Sequence, residues 1–245
     1  MDLIRPQWPA PASVEACFTT RDGGVSAGVY AGLNLGAHVG DDPLHVAGNR
    51  ARLRQTLALA SEPVWLNQVH GIAVHAATHA ADGVVPTADA AVTRQRSVAL
   101  TVMTADCLPV LLCDRQGSVV ATAHAGWRGL CNGVLAATVA AMDVAPAEIL
   151  AWMGPAIGPQ AFEVGDEVRA AFIAHDPAAA TAFRPHLPGK WWADLFLLAR
   201  QRLQACGVTA IYGGDTCTVS DPARFYSYRR DGQTGRMAGL IWLRT

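Results

Sequence analysis

The stretch Met103–Leu130, MTADCLPVLLCDRQGSVVATAHAGWRGL, constrains this chain more than any other. Two short apolar runs, bounded by a turn at Asp114–Gly117, lead into HAGWRG, a glycine-containing turn that opens a helix. Pro109, two residues beyond Cys107, is expected to prevent regular sheet pairing and leave the cysteine on an irregular turn. His124 ends the second run, and Arg128 stands at the start of the helix. A thiol, an imidazole and a cation at a helix N-terminus, so close together, point to a site and to an enzyme.

The remaining segments supply the frame. Residues 14–20 (VEACFTT) read as a strand, followed by a winding loop, RDGGVSAGVYAGLNLG, whose glycines allow positive φ. Arg21, Ser26 and Asn34 are the candidate binding groups of that loop. Asp41-Asp42-Pro43 starts a helix, with apolar positions at Val46, Leu53 and Leu57. VWLNQV (64–69) reads as a strand that presents His70 at its end, before Gly71. His75 and His79 read as surface residues, and Asp82 and Asp89 are the acids of the next segment.

A strand is expected over 98–104, then strands at PVLLCD and SVVATAH, then a helix over 128–142. Cys113 and Cys131 read as small buried apolar residues. Trp127 is expected to anchor its turn in the core, and Arg229 and Arg230 to make structural or surface contacts. EILAWMGP (148–155) reads as a strand, GDEVRAAFIAH (165–175) as an amphipathic helix, and 176–189 as an irregular excursion. A helix over 191–206 stops at Gly207, VTAIYGG forms a strand, and the tail closes as a hairpin around a D-G turn. Strands and helices mix without a βαβ repeat. The expectation is one α+β domain over 1–245, with mixed β-sheets flanked by helices.

Composition narrows the class of function. In 245 residues, hydrophobic content of 51% and charged content of 16% describe a well-buried globular protein. A net charge of −1 with scattered basic residues leaves no patch for nucleic acid. No apolar run approaches the ~18–20 residues of a membrane span. The N-terminus has no secretory pattern, and six cysteines without a disulfide spacing fit a reducing compartment, so the expected location is the cytoplasm. Nothing in the pattern specifies an oligomeric state.

Residue chemistry leaves three outcomes open. Cys107 could be a thiolate nucleophile activated by His124 or His70. Alternatively, Cys107, His70 and His124 could be three zinc ligands with a fourth position open to water or substrate. In the third outcome these residues form no site. Neither a CxxC nor an HxxxH pair decides between them.

A resemblance takes the reading further. FTTRDGGVS (18–26), LNLGAHVGDDP (33–43), NQVHG (67–71), TADCLPVLL (104–112), HAGWRGL (124–130), GPAIGP (154–159), FEVG (162–165) and YSYRRDGQTGRMAGLIW (226–242) make the chain similar to the laccase-domain family. That family is also called the polyphenol oxidase or purine nucleoside phosphorylase family of bacterial proteins. The resemblance implies one zinc held by His70, Cys107 and His124. It implies phosphorolysis of adenosine, inosine, guanosine and methylthioadenosine to base and ribose 1-phosphate, and hydrolytic deamination of adenosine. The laccase label implies copper, yet a Cys-His₂ set suits zinc at least as well. Some relatives are assigned to quality control of cell-wall precursors.

On this reading Asp106 or Asp89 is the proton shuttle. Arg21 and Arg128 are the phosphate candidates, and Ser26 and Asn34 the ribose candidates. A metal-free cysteine hydrolase and a non-catalytic cell-wall partner are the alternatives.

Overall fold

The computed structural model describes residues 1–79, 83 and 85–245, so Asp82 lies outside the described residues. In chain order the strands and first helix begin with β1 (Leu3–Ile4), β2 (Val14–Thr19), α1 (Pro43–Thr56), β3 (Val74–Ala76), β4 (Ala90–Thr93) and β5 (Leu100–Thr104). There follow β6 (Leu108–Asp114), β7 (Val120–Ala125), α2 (Trp127–Asn132), α3 (Val134–Met142), β8 (Ile149–Met153), β9 (Glu163–Gly165) and α4 (Asp166–His175). The chain continues with β10 (Phe183–Pro185), β11 (Lys190–Ala193), α5 (Leu195–Ala205), β12 (Ala210–Gly213), α6 (Tyr228–Asp231) and β13 (Met237–Leu243). The fold class is α+β.

Two sheets face each other. A four-stranded antiparallel sheet runs β1-β2-β13-β5, and a six-stranded mixed sheet runs β12-β8-β6-β7-β4-β3. Side-chain alternation divides their residues among three cores. Phe18, Leu100, Val102 and Ile241 of the first sheet meet Leu111, Val120, Leu150 and Trp152 of the second. On the far face of the six-stranded sheet, Val110, Ala121, Ala123 and Ala151 pack against Leu135, Val168, Phe172 and Leu198 of the helices. On the far face of the other, Cys17, Ala238 and Leu240 are covered by Leu33, Leu35, Leu53 and Trp65. Strands β5 to β8 are therefore buried on both faces, which is why they read as continuous apolar runs.

Several elements differ from the sequence expectations. VWLNQV forms no strand; Val64 and Asn67 make only isolated bridges. There the backbone N–H groups of residues 69–71 go to the Asp89 carboxylate instead of a ladder. Pro109 does not interrupt pairing: it sits in β6 opposite His124, and its carbonyl accepts from Gly154 N. The irregular turn at Cys107 comes from Asp106, whose φ is 89°.

The helix expected over 128–142 breaks at Gly133, φ 105°, into α2 and α3. Residues 190–193 belong to β11, so the following helix starts at Leu195, where the Asp194 side chain accepts from Leu197 N. The excursion at 176–189 is partly ordered as a 3-10 turn and β10, which pairs with β11 in a three-stranded sheet, β10-β11-β9. The closing hairpin is absent among the described residues. Ser227 caps α6 through Arg230 N, and β13 enters the four-stranded sheet between β2 and β5. His75 lies half-buried in β3 rather than on an unstructured surface. No helix among the described residues is long and apolar enough to cross a membrane.

Candidate metal centre

The turn after β5, the end of β7 and the loop at residues 68–71 converge at one end of the two-sheet core. There His70, Cys107 and His124 bring their donor atoms within 4.8 Å of one another. Sγ of Cys107 lies 3.8 Å from Nε2 of His70, and the two imidazoles meet edge to face with centroids 4.8 Å apart. In a tetrahedral zinc site, bonds of ~2.0–2.3 Å put such atoms roughly 3.3–3.6 Å apart, so the widest separation needs to close by about an ångström. Two imidazoles and a thiol form a donor set that zinc and copper both accept. The residues fit a metal ion.

Local structure explains why these side chains meet. His124 shares a face of β7 with Val120 and Thr122, so it faces the four-stranded sheet. His70 holds a left-handed backbone, φ 60°, and Asp106 another just before Cys107. Gly126 leaves the space between ligands open: a Cβ there would stand 2.8 Å from His70 Cδ2 and 3.0 Å from Cys107 Sγ.

The electrostatics separate Cys107 from the thiols of the core. Burial pushes Cys17 and Cys113 up to about 12. Burial also acts against ionisation of Cys107, but the charge and hydrogen bond of His124, followed by those of His70, hold its thiol well below the ordinary value. Burial lowers His124 in turn; the Cys107 charge and the hydrogen bond with Asp89 outweigh it and raise that imidazole. The pair favours the thiolate form, the form that ligates a metal.

The donor atoms line a cavity of about 480 Å³, within the range of small-molecule sites. Trp127, Ile157, Phe162, Leu195 and Tyr228 supply its apolar wall. Arg236 and His38 also line it. Burial lowers the His38 pKa first, and the charges of Arg236, Arg50 and His124 lower it further. A half-buried guanidinium on a cavity wall favours an anion. Thr104 Oγ1, also at the wall, is buried without a partner among the described residues.

The other sequence candidates sort differently. Asp89 is fully buried and accepts from Val69 N, His70 N and Gly71 N while pairing with His124 Nδ1. Asp106 lies at the cavity but accepts from Thr218 Oγ1, Ser227 Oγ and Arg229 N. Both carboxylates are thus tied to several donors, Asp89 away from the cavity and Asp106 at its wall.

Arg21, Ser26, Asn34 and Arg128 are not on the cavity wall. Arg21 donates to the Pro222 and Ala31 carbonyls and stacks over Tyr226 at 4.6 Å. Ser26 and Asn34 both donate to Asp41, and Asn34 Oδ1 accepts from Arg236 N. Arg128 is exposed and lies over Trp127 at 4.4 Å.

Trp127 and Arg229 reach the wall, although the sequence suggests core and surface roles for them. Arg236 in TGRM and His38 in GAHVG also reach it, and nothing in residue spacing marks them out.

The chain is similar to known bacterial proteins over nearly its whole length. A Pseudomonas aeruginosa purine nucleoside phosphorylase is 57% identical over 241 residues, 98% of either chain. Escherichia coli purine nucleoside phosphorylase YfiH is 56% identical over 241 residues, again 98% of either chain. The crystal structure of Neisseria meningitidis protein NMB0706 matches with a TM-score of 0.96 at 53% identity over 100% of both chains. That of YlmD from Geobacillus stearothermophilus matches with a TM-score of 0.94 at 35% identity, covering 100% of this chain and 97% of the other. With residues 15–244 matched by the family described as multi-copper polyphenol oxidoreductase laccase, the chain belongs to that family.

Proposed function

We propose that the protein is a zinc-dependent purine nucleoside phosphorylase that also deaminates adenosine. The observation that carries this reading is the cavity itself: the His70–Cys107–His124 group, apolar side chains and the Arg236 guanidinium line one space. Relatives at 46–57% identity bear the name purine nucleoside phosphorylase. The family description speaks of several coppers. Among the described residues, however, His70, Cys107 and His124 are the one group of histidines, cysteines and acids placed to hold a metal ion. A single Cys-His₂ set has the ligands for one ion, which suits an open zinc site and is too few for several coppers.

His70, Cys107 and His124 would hold the metal, which when bound supplies Lewis-acid activation of water or of a polar substrate atom. The chain's own residues do the rest. Trp127, Phe162 and Tyr228 offer faces and edges against which a purine can lie. Arg236 Nη1 donates to the Thr234 and Gly235 carbonyls. That anchoring leaves the rest of its guanidinium for phosphate, with His38 beside it. Phosphorolysis then forms a bond from phosphate oxygen to ribose C1′ as the C1′–N9 bond breaks. Deamination replaces the 6-amino group of adenosine by water, releasing ammonia and inosine. Holding reactants in a dry, shaped pocket is a main contribution the protein can make.

The test incubates zinc-loaded protein with adenosine, with and without phosphate, and separates the products. Adenine and ribose 1-phosphate are expected with phosphate, and inosine without it. Arg236→Gln is expected to raise the phosphate KM by ~10–100-fold, the worth of a hydrogen bond to a charged group. Absence of both products overturns the reading. Cys107, 3.8 Å from His70 Nε2, also has the proximity of a nucleophile and its base. Protein that lacks stoichiometric zinc and is inactivated by thiol alkylation would favour that hydrolase.

A further inference from the structure

Asp89 stands immediately before β4, wholly shielded from solvent, and its two carboxylate oxygens serve both histidines of the triad. Oδ1 lies 2.8 Å from His124 Nδ1 and accepts from His70 N at 2.9 Å. Oδ2 accepts from Val69 N at 3.1 Å and Gly71 N at 2.7 Å. The Asp89 backbone joins the same region, its carbonyl accepting from His124 N at 2.7 Å.

Each contact has a consequence for the metal site. A carboxylate beside Nδ1 holds a proton there, so that Nε2 is the nitrogen left to give its lone pair to a metal in the neutral ring. His70 holds φ 60°, a conformation that costs a non-glycine residue free energy and persists only where neighbours impose it. Three successive N–H groups gathered on one carboxylate impose it. Among the described residues no arginine or lysine pairs with Asp89; its partners are His124 and those backbone donors.

We propose that Asp89 is the positioning residue of the metal centre, its carboxylate setting the His124 tautomer and presetting the backbone of His70. A metal ion then meets two of its ligands already oriented and loses little free energy in assembling them. The role rests on the metal-site reading above and differs from proton shuttling, because Asp89 touches the ligands and not the cavity space.

The test measures zinc affinity by chelator competition and the visible absorption of the cobalt-substituted protein, for the parent and for Asp89→Asn. The amide of that variant would present a donor to N–H groups that need an acceptor, or lose the acceptor opposite His124. Zinc binding is expected to weaken by ~10–100-fold, as for other groups that orient metal ligands, with altered cobalt bands. A variant that loses thermal stability but keeps parental zinc affinity and cobalt bands overturns the proposal.

Should Asp89→Asn fail to fold, a long-range proton–nitrogen NMR spectrum of the parent decides. His124 protonated at Nδ1 is expected, and His124 protonated at Nε2 alone overturns the proposal. A parent that binds no zinc refutes the metal reading together with this role. Parental affinity in the variant refutes the role alone.

Discussion

At Gly126 a single methyl group would separate the ligands. The backbone there is ordinary, φ −63° and ψ 157°, and open to alanine without strain. The obstacle is space, since the new carbon would lie 2.8 Å from one ligand ring and 3.0 Å from the thiol. Gly126→Ala is therefore expected to fold and to bind zinc at least ~10-fold more weakly, on the scale seen when ligand-orienting contacts are lost. Zinc content after dialysis against a chelator checks it; full retention would show that the site relaxes around the methyl. Asp106 illustrates another residue-scale point. Its side chain ties Thr218, Ser227 and Arg229 to the turn that carries Cys107, so an acid adjacent to a ligand serves as a brace.

Helix α5 shows how neighbouring elements divide a sequence that looks uniform. WWADLFLLARQRLQAC has helical composition throughout, but Trp191 and Trp192 pair in register with Val164 and Glu163 of β9. Trp191 Nε1 donates to Asp166, and Arg169 stacks on the Trp191 ring at 4.2 Å. Sheet pairing therefore takes the first residues, and Asp194 becomes the cap, accepting from Leu197 N at 2.9 Å. Asp194→Ala is expected to cost ~0.5–2 kcal/mol. A urea denaturation with an unchanged slope and a lower midpoint would register it, and an unchanged midpoint would show that the cap is dispensable. In α2 and α3 the break at Gly133 is set by backbone alone, because a Cβ there would meet no atom within 4 Å.

Across the whole molecule, carboxylates that accept internal hydrogen bonds link stability to pH. At Asp114, burial disfavours the charge, but the Ser118 hydroxyl followed by Val119 N and Ser118 N lowers its pKa. At Asp41 burial is likewise outweighed, here by Asn34 and Ser26, which tie the glycine-rich loop to the start of α1. Both folded-state values lie below the unfolded aspartate value of ~3.9. Their contribution is present above that value and is lost as pH falls through the lower folded values. Urea midpoints are expected to hold steady from pH 7 to ~5 and to drop below ~4, less steeply in Asp114→Asn. An identical slope in the variant would remove Asp114 from that account.

The sequence by itself determined the local and the covalent: apolar runs at β2, β5, β6, β7 and β8, the Asp42-Pro43 start of α1, the α+β class, and Cys107 and His124 as candidates close together in the chain. These follow from the period of burial and from residue chemistry, which need only near neighbours in the chain. Tertiary structure decided what depends on distance. It brought His70 from a loop rather than a strand, and engaged the Asp89 and Asp106 carboxylates with donors from distant segments. It replaced Arg21 and Arg128 at the cavity with Arg236 and Arg229, and placed β13 between β2 and β5 in place of a terminal hairpin. Arg21 and Arg236 look alike in a string of letters. Both guanidiniums donate to backbone carbonyls, Arg21 to Pro222 and Ala31 and Arg236 to Thr234 and Gly235. But Arg236 lines the cavity, its backbone N–H held by the Asn34 side chain. A charge's role is set by the partners that packing supplies, and those partners lie tens to hundreds of residues away.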